Sequence, residues 1–382
     1  MRQPTKKPSK FMRKSSKHLK IGFVLDDTLD TPDGVQQYVM RVGSWMEKHG
    51  YEVHYLVGES NRQDISNIHP LAKNIKVRFN KNRLSVPLPT SRKLIAKTLD
   101  SLKLDILHVQ MPYSPLFAGR VINAAPPRTK LIGTFHIVPA NWVHTTGARA
   151  LELFNRRTVK QFDQIISVSP VAAEFAKTVF DIDSVVIPNA VDIKEFKHKP
   201  IKNKTLKIVF LGRLVERKGC QYLLKALVRL QTEYKGKYEV IIAGDGPLKP
   251  KLEQFAKKNK LKKVKFIGYF EENEKAPLLA SADIAVFPST GGESFGIVLI
   301  EAMASGSRVI LGGNNKGYQG VLGDHPDLLF NPKDTIEFAN RIQYFLEHED
   351  MRKAAYKWSQ ANIKQYDISA VCKRIMAVYN KD

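Results

Sequence analysis

The sequence predicts an α/β protein made of two Rossmann-like domains that face each other across a cleft. Strand-like and helix-like segments alternate along the chain, which favours βα units and parallel sheets. The length of 382 residues exceeds the size at which one hydrophobic core keeps growing, so two domains are expected. Several strands run directly into glycine-containing turns that start a helix. Ligands of open α/β sheets bind beyond the carboxyl ends of the strands, so two facing domains predict one interdomain binding site.

The predicted strands fall into two sets that are separated by a lysine-rich stretch. This stretch indicates a linker and places the domain boundary near residues 190–204. The predicted domains are 1–18, a disordered basic arm; 19–195, the first Rossmann-like domain; 196–367, the second; and 368–382, a terminal helix. The predicted strands are 20–25, 52–57, 105–109, 130–135 and 164–168 in the first set, and 207–211, 239–243, 263–267, 283–287 and 308–311 in the second.

Composition narrows the class of protein. Hydrophobic residues make up 43% of the chain, and no apolar run reaches the roughly 18 residues that a membrane span requires. Cys220 and Cys372 form no metal-binding or disulfide pattern, so we expect a reducing cytoplasm. The basic arm contains no acid and lacks the apolar segment of a signal peptide.

The charge of the chain indicates an anionic partner. Its net charge is +24 and its pI is near 9.8. Nucleic acid, an acidic membrane surface and phosphorylated substrates all fit such a charge. The sequence has no zinc-finger spacing and no aromatic RNA-binding strand, so we do not expect nucleic acid.

The most informative stretch is GGESFGIVLIEAMASG at 291–306, which follows a predicted buried strand. Its glycines permit close backbone approach, and the apolar spacing from Gly296 onward is helical. The amide groups at this helix start carry partial positive charge and suit a diphosphate. Glu293 lies just before the helix and Glu301 lies inside it, so both carboxylates can bind hydroxyl groups of one ligand. The alternative is an ordinary αβ unit in which Glu301 is solvated or ion-paired.

This stretch resembles the E-x7-E element of retaining glycosyltransferases of family 4, and it is particularly similar to that of bacterial phosphatidylinositol mannosyltransferases. The resemblance covers roughly residues 19–380 and includes several motifs in the family's order. It implies a GT-B fold, a nucleotide-sugar donor, catalysis without a metal ion or any other required cofactor, and a terminal helix that packs back on the first domain. It further implies that Glu293 holds the transferred sugar and Glu301 the donor ribose. The other donor-binding positions implied in this loop are Ser294, Phe295, Gly296 and Ile297.

Further turns of the second domain match the family's donor site. Arg213 and Lys218 lie five residues apart on one turn, where they can clamp a diphosphate and neutralise leaving-group charge. Solvated cations are the alternative, although the helix macrodipole disfavours cations at a helix start. Gly244 lies in another turn that follows a strand. The glycines of that turn are, by themselves, weak evidence for donor binding. Phe270 and Glu272 occupy the family's base-binding loop.

The first domain supplies the predicted acceptor side. Gly34 lets the backbone approach a donor phosphate at a helix start, or else it belongs to a tight βα turn. The resemblance assigns acceptor binding to Gln36 and Asp27, although Asp27 replaces a tyrosine of the mannosyltransferases and Asp33 a glycine. His136 lies just past the fourth strand and matches the family's cleft histidine, which contacts the transferred sugar. Without the resemblance, a lone histidine is more often structural.

Residues 92–103 predict a helix that mixes cations with apolar residues. Arg92, Lys93 and Lys97 can lie on an anionic membrane surface, and the apolar segment 84–89 can enter the interface. The alternative is an amphipathic helix docked on its own sheet with a solvated basic face. Relatives that glycosylate lipids use the matching helix for membrane binding.

We therefore expect a retaining glycosyltransferase that moves a hexosyl group, mannose from GDP-mannose, to a lipid acceptor such as a phosphatidylinositol-type lipid. The predicted location is the cytoplasmic face of the membrane, to which the protein binds peripherally. A related enzyme that uses a UDP-sugar or a soluble acceptor is the first alternative. A non-enzymatic basic protein that binds nucleic acid is the second.

Overall fold

The computed structural model describes residues 19–30, 33–79, 82–111, 117–136, 158–198, 201 and 203–381, with the backbone alone between 76 and 86. The predicted basic arm, 1–18, lies outside the described residues.

The first domain is built on a parallel sheet. Its strands, in chain order, are β1 (Lys20–Leu25), β2 (Glu52–Val57), β3 (Ile68–Pro70), β4 (Asn74–Phe79), β5 (Asn82–Pro87), β6 (Ile106–Gln110), β7 (Lys130–Phe135), β8 (Gln164–Ser167) and β9 (Val185–Val186). The sheet has seven strands in the order β3-β2-β1-β6-β7-β8-β9. β4 and β5 form a separate antiparallel hairpin.

The second domain has a six-stranded parallel sheet. Its strands are β10 (Leu206–Leu211), β11 (Tyr238–Ala243), β12 (Val264–Gly268), β13 (Ile284–Phe287), β14 (Val309–Gly313) and β15 (Leu329–Phe330). Their order is β12-β11-β10-β13-β14-β15, which is the doubly wound order of a Rossmann fold. Because helices cover both faces of such a sheet, its central strands are apolar throughout, and all four residues of β13 are buried.

The helices connect these strands. They are α1 (Gly34–Lys48), α2 (Arg92–Leu102), α3 (Phe117–Ala124), α4 (Pro170–Phe180), α5 (Ile193–Phe196), α6 (Cys220–Glu233), α7 (Lys249–Lys258), α8 (Glu272–Ala280), α9 (Ile297–Ser305), α10 (Lys316–Leu322), α11 (Thr335–Glu347), α12 (Glu349–Asn362) and α13 (Ile368–Tyr379). Local sequence signals determine where several of these helices begin. For example, Ser169 accepts a hydrogen bond from the Ala172 amide, and Pro170 opens α4.

The last helix lies on the first domain. Buried residues of α13, from Ile368 to Tyr379, belong to the same apolar core as β1 and α1. The Tyr379 hydroxyl lies 2.7 Å from Nδ1 of buried His108. The chain therefore crosses between the domains twice, and the two crossings pair directly, because the amides of Val191 and Ile368 each donate across them at 3.0 Å.

All ten predicted strands are present, and the predicted fold class is confirmed. The short edge strands β3, β9 and β15 and the β4-β5 hairpin were not predicted. The segment 84–89, predicted to be an apolar membrane contact, includes most of β5. Among the described helices, none combines the length and the hydropathy of a membrane span.

Both sheets have a topological switch point beside their central strand. In the first sheet β1 lies between β2 and β6, and in the second β10 lies between β11 and β13. Loops that leave the carboxyl ends of such neighbouring strands diverge and open a crevice. The loops after β1, β10 and β13 carry most of the predicted site residues.

Candidate functional site

The loops after β10 and β13 pack against each other at the switch point of the second sheet. Gly219 has a φ of 77°, and a Cβ there would collide with the Pro288 carbonyl oxygen. The Thr290 amide donates to the Arg217 carbonyl at 2.9 Å. Glycine at 219 is therefore needed both for the left-handed backbone and for the close approach of the two loops.

Glu293 is held by two cations through one carboxylate oxygen. Lys218 Nζ and Arg217 NH1 each donate to its Oε1 at 2.8 Å, and Ser289 Oγ donates to the same atom at 2.9 Å. Oε2 accepts no hydrogen bond from the residues that the structure describes. The side chain is 12% exposed.

The environment of Glu293 keeps it ionised. Burial by itself raises the pKa of the carboxyl group, but the charges of Lys218 and then Arg217, with hydrogen bonds from Lys218 and Ser289, outweigh burial and lower the pKa below its ordinary value. A carboxylate that is held in one orientation, and whose second oxygen has no partner among the described residues, is suited to accept hydrogen bonds from ligand hydroxyl groups.

Arg217 is a site residue that the sequence analysis missed. The predicted cationic pair was Arg213 and Lys218, and of these Lys218 contacts Glu293 while the Arg213 side chain is exposed earlier in the same loop. Residues Glu216–Lys218 form a short 3₁₀ turn, which brings Arg217 beside Lys218. In the sequence, the signal that could have identified Arg217 is its position next to the predicted site residue Lys218.

The first turn of α9 presents backbone amides to the crevice. Gly296 is its N-cap, with a φ of 97°, and supplies no side-chain cap. A Cβ at this position would lie 2.5 Å from the Tyr318 ring, so glycine is required. Phe295, predicted to bind donor, buries its ring edge-to-face on Tyr366 with centroids 5.7 Å apart, so only its backbone is available to a ligand. Ser294 is half-buried in the same loop.

Glu301 is buried at the domain interface, with 4% of its side chain exposed. Arg41 NH2, from α1 of the first domain, donates to its Oε1 at 2.8 Å, and Lys275 Nζ of α8 donates to the same oxygen at 3.3 Å. Glu272 completes the cluster, because its Oε1 lies 2.6 Å from Lys275 Nζ and 3.9 Å from Arg41 NH2. The structure thus places Glu301 and Glu272 together, and it adds Arg41 and Lys275, which the sequence analysis missed.

The two domains approach closely at this point. A cavity of about 640 Å³ lies between them and is lined by Gln36 and Arg41 of α1, by Glu195 of α5 and by Glu272 of α8. A Cβ at Gly34 would lie 3.3 Å from Cδ1 of Ile297, so the N-termini of α1 and α9 meet across the interface. Partial positive charge from two helix starts therefore converges on one place.

Two further donor-site predictions lie at the same edge of the second sheet. The Gly244 amide donates to the Gly268 carbonyl at 2.7 Å, which ties the turn after β11 to the end of β12. Phe270 is half-buried and stacks on Tyr269 with centroids 6.3 Å apart. Tyr269, which belongs to the same predicted base-binding loop as Phe270, is 70% exposed at the end of the sheet.

On the first domain, His136 is buried at the end of β7. Its Nε2 lies 2.7 Å from Gln110 Oε1, so this nitrogen carries the proton and donates to the amide oxygen. Burial lowers the pKa of His136 to about 3, so the ring is neutral at physiological pH. The edge of the Tyr38 ring packs on it with centroids 4.7 Å apart. A neutral, oriented imidazole can bind a hydroxyl group but is a weak base.

The predicted acceptor residues flank the start of α1. Gln36 is buried and lines the cavity. Asp27 Oδ1 accepts from the Thr28 amide at 2.7 Å within the loop after β1. Asp33 is the exposed N-cap of α1, and its side chain makes no capping hydrogen bond. This helix start therefore carries acidic groups beside its amides.

The basic face of α2, which we define as Arg92, Lys93 and Lys97, is exposed. Ile95 and Leu99 on the opposite side are buried against the first sheet. The helix is thus docked on its own sheet, and its cations are free of that packing. Leu94, on the same helix, is 47% exposed, and Leu88, which precedes the helix in sequence, is 41% exposed.

The described residues contain no group of three or more His, Cys, Asp or Glu side chains that could hold a metal ion. The charged side chains around the crevice are instead cations, the carboxylates of Glu293 and Glu301, and further acidic residues such as Glu272 and Glu195.

Comparison with known proteins relates both domains of this chain to glycosyltransferases. Residues 191–364 match the model of glycosyl transferases group 1, and residues 32–195 match that of Glycosyltransferase Family 4. The phosphatidyl-myo-inositol mannosyltransferase of Mycolicibacterium smegmatis is 29% identical over 373 residues, which is 94% of this chain and 93% of that protein. The enzyme of the same name from Propionibacterium freudenreichii is 27% identical over 386 residues, 94% of both chains.

Solved structures show the same fold. A glycosyltransferase from Rickettsia africae superimposes with a TM-score of 0.76 at 18% identity, covering 94% of this chain and 97% of that one. The Anabaena protein HepE, solved with UDP and glucose, gives a TM-score of 0.74 at 18% identity, covering 94% and 99%. The GT-B architecture expected from the sequence is confirmed.

Proposed function

We propose that this chain, which belongs to the glycosyltransferases, transfers mannose from GDP-mannose to a lipid acceptor with retention of anomeric configuration. One observation carries the proposal: two carboxylates, Glu293 and Glu301, are each fixed through Oε1 by two cations beside the uncapped start of α9. This arrangement offers amides and cations to a diphosphate and two oriented oxygens to sugar hydroxyl groups. The names of the mannosyltransferase relatives support mannose and a phosphatidylinositol-type acceptor.

The proposed reaction takes place on one face of the sugar. The bond from the anomeric carbon to the diphosphate oxygen breaks, and the acceptor oxygen bonds to the same carbon from the same side. The acceptor proton passes to an oxygen of the leaving diphosphate. Lys218, Arg213 and the first amides of α9 stabilise the charge that develops there.

Each of the two carboxylates binds a different part of the donor. Glu293 Oε2 accepts from hydroxyl groups of the mannosyl ring, and His136 binds the same ring from the first domain. Glu301 Oε2 accepts from the ribose, while the loop that holds Phe270 and Glu272 faces the base. Gln36 and Asp27 contact the acceptor at the start of α1.

We further propose that the enzyme binds peripherally to the cytoplasmic face of the membrane. The basic face of α2 includes cations in the first turn of the helix, where no acidic residue offsets their unfavourable interaction with the helix dipole. An anionic surface relieves that repulsion, and the exposed Leu94 and Leu88 can enter the interface.

The product of a defined reaction tests the proposal. Purified protein is incubated with total bacterial lipid extract and either GDP-mannose or a UDP-hexose, and the lipids are analysed by mass spectrometry. We expect a lipid that gains one hexose from GDP-mannose, and much less of this product with Glu293→Gln. A product from the UDP-sugar alone would refute the donor, and a product on a water-soluble acceptor but never on lipid would refute the acceptor. Binding of RNA without any shift in melting temperature from GDP, UDP or ADP would refute enzymatic function.

A further inference from the structure

Arg41 connects the first domain to a carboxylate of the second. It lies on α1, and its NH2 reaches Oε1 of Glu301 on α9 at 2.8 Å, a pair separated by 260 residues in sequence. On its other side NH1 approaches the Ala190 carbonyl at 3.4 Å, and the guanidinium lies over the Phe196 ring at 5.3 Å. The interdomain linker therefore holds the guanidinium in place from behind.

Three members of the cluster around Arg41 are largely removed from water, whereas Glu272 is about half exposed. Side-chain exposure is 14% for Arg41, 4% for Glu301 and 8% for Lys275. A buried ion pair is stabilising only when its geometry is fixed, and loss of one partner leaves an uncompensated charge. Arg41 thus restricts the orientation of the Glu301 carboxylate.

Both cations bind the same oxygen of Glu301. Arg41 and Lys275 converge on Oε1, whereas Oε2 accepts no hydrogen bond from the described residues. A carboxylate whose first oxygen is anchored at two points cannot rotate freely. Its second oxygen is therefore presented in one direction, as an acceptor for a hydroxyl group.

We infer that Arg41 is a positioning residue of the donor site, supplied across the interface by the first domain. It fixes Glu301 so that Oε2 meets the ribose hydroxyl groups of a ribonucleoside diphosphate sugar. This inference rests on the proposed function, in which Glu301 binds the ribose. The ribose end of the donor site is complete only when both domains contribute, and recognition of the ribose depends on a side chain that does not touch it.

A cycle of ligands and variants tests the inference. Binding of GDP and of 2′,3′-dideoxy-GDP, and of the matching uridine pair, is measured by calorimetry for the wild type, Arg41→Ala, Arg41→Lys and Arg62→Ala. Arg62 is the matched control, because it lines the same cavity from the first domain but contacts Asp64 and not Glu301. Hydrogen bonds to a charged group contribute enough binding free energy that the wild type should bind the ribose form roughly tenfold or more tightly than the dideoxy form.

Arg41→Ala should lose most of that preference by weakening the ribose form about tenfold and the dideoxy form less than about twofold. Arg41→Lys should retain part of it, and Arg62→Ala all of it. In turnover assays the donor KM should rise while kcat stays within about twofold, because ribose contacts are equal in ground state and transition state. A structural defect would instead lower kcat and weaken both ligands equally.

The failures are distinguishable. A wild type that binds the ribose and dideoxy forms equally would disprove the ribose role of Glu301 in the proposed function. A wild type that discriminates, together with an Arg41→Ala variant that discriminates as well, would disprove the role of Arg41 and leave the function intact. Where Arg41→Ala is unfolded, Arg41→Gln carries the same test, because it retains the packing and one donor but removes the charge.

Discussion

Removing the Lys218 ammonium should cripple turnover and change its pH dependence. Lys218 Nζ donates to Glu293 Oε1 at 2.8 Å and lies on the loop that faces the proposed diphosphate. A hydrogen bond to a charged group contributes about 1.5–3 kcal/mol, and loss of charge stabilisation at a leaving group contributes a comparable amount. Lys218→Met should therefore lower kcat by roughly ten- to a thousandfold, at about 1.4 kcal/mol for each tenfold.

The pH dependence of kcat/KM gives an independent test of this role of Lys218. In the wild type the charges of Lys218 and Arg217 overcome burial and lower the pKa of Glu293, so the ionised form persists well into the acidic range. With Lys218 removed, burial remains and one cation is lost, so the pKa of Glu293 must rise. The acidic limb of the kcat/KM profile should move to higher pH in Lys218→Met.

Two variants control this prediction. Arg217 contacts the same oxygen but is 41% exposed, so Arg217→Met should have the smaller effect on both turnover and pH profile. Glu293→Gln, which removes the titrating group, should lower turnover and abolish the acidic limb. Radiolabelled hexose transfer, with melting temperature as a folding check, measures all three. Near-wild-type turnover in both Lys218→Met and Glu293→Gln would refute the site assignment.

Three other predictions concern the metal ion, acid stability and membrane binding. Activity should survive EDTA, because cations and helix amides stand where a metal would neutralise the diphosphate. Burial lowers the pKa of both His108 and His136 to about 3 in the folded protein, whereas an unfolded histidine has a pKa near 6.5. Below about pH 6.5 the unfolded state therefore binds more protons than the folded state. Unfolding free energy should therefore be constant above about pH 7 and fall by about 2 kcal/mol for each histidine by about pH 5. Charge reversal of the basic face of α2 together with deletion of residues 1–18 should abolish sedimentation with anionic liposomes and activity on lipid, while GDP binding persists.

Each of these has its own contrary result. Complete loss of activity in EDTA that only Mg²⁺ or Mn²⁺ restores would contradict the metal prediction. Urea titrations that give the same stability at both pH values would contradict the histidine prediction, and His136→Gln should halve the acid effect. Liposome binding by the charge-reversed variant at low salt would contradict the membrane prediction, since screening should weaken only the wild type.

The sequence predicted the fold because its central strands are buried on both faces and stand out as apolar runs. β13 and β7 are buried throughout, and both were predicted within a residue of their bounds. The edge strands β9 and β15 have two residues each, too few to show any periodicity. They form because a neighbouring strand offers free hydrogen-bonding groups, and that information is not local.

The site was predictable where it coincided with a local motif. Glu293 and Glu301 lie on one loop-helix segment, so their pairing with a helix start follows from spacing. Their cationic partners do not, because Arg217 is 76 residues from Glu293 and Arg41 is 260 residues from Glu301. Such pairs depend on how the loops and the domains pack, which no local pattern specifies.

Glu293 and Glu301 are held in the same way, but the cations of one come from a single domain and those of the other come from both domains. Each is anchored through Oε1 by two cations and leaves Oε2 to a ligand. The cations of Glu293 both come from the second domain, so the part of the proposed sugar end that this domain supplies keeps its geometry wherever the first domain lies. One cation of Glu301 comes from α1, so the ribose end is complete only while the domains are apposed. A donor that binds both ends therefore favours the apposed state by its differential affinity, and that state also brings the start of α1 and its acceptor residues to the start of α9.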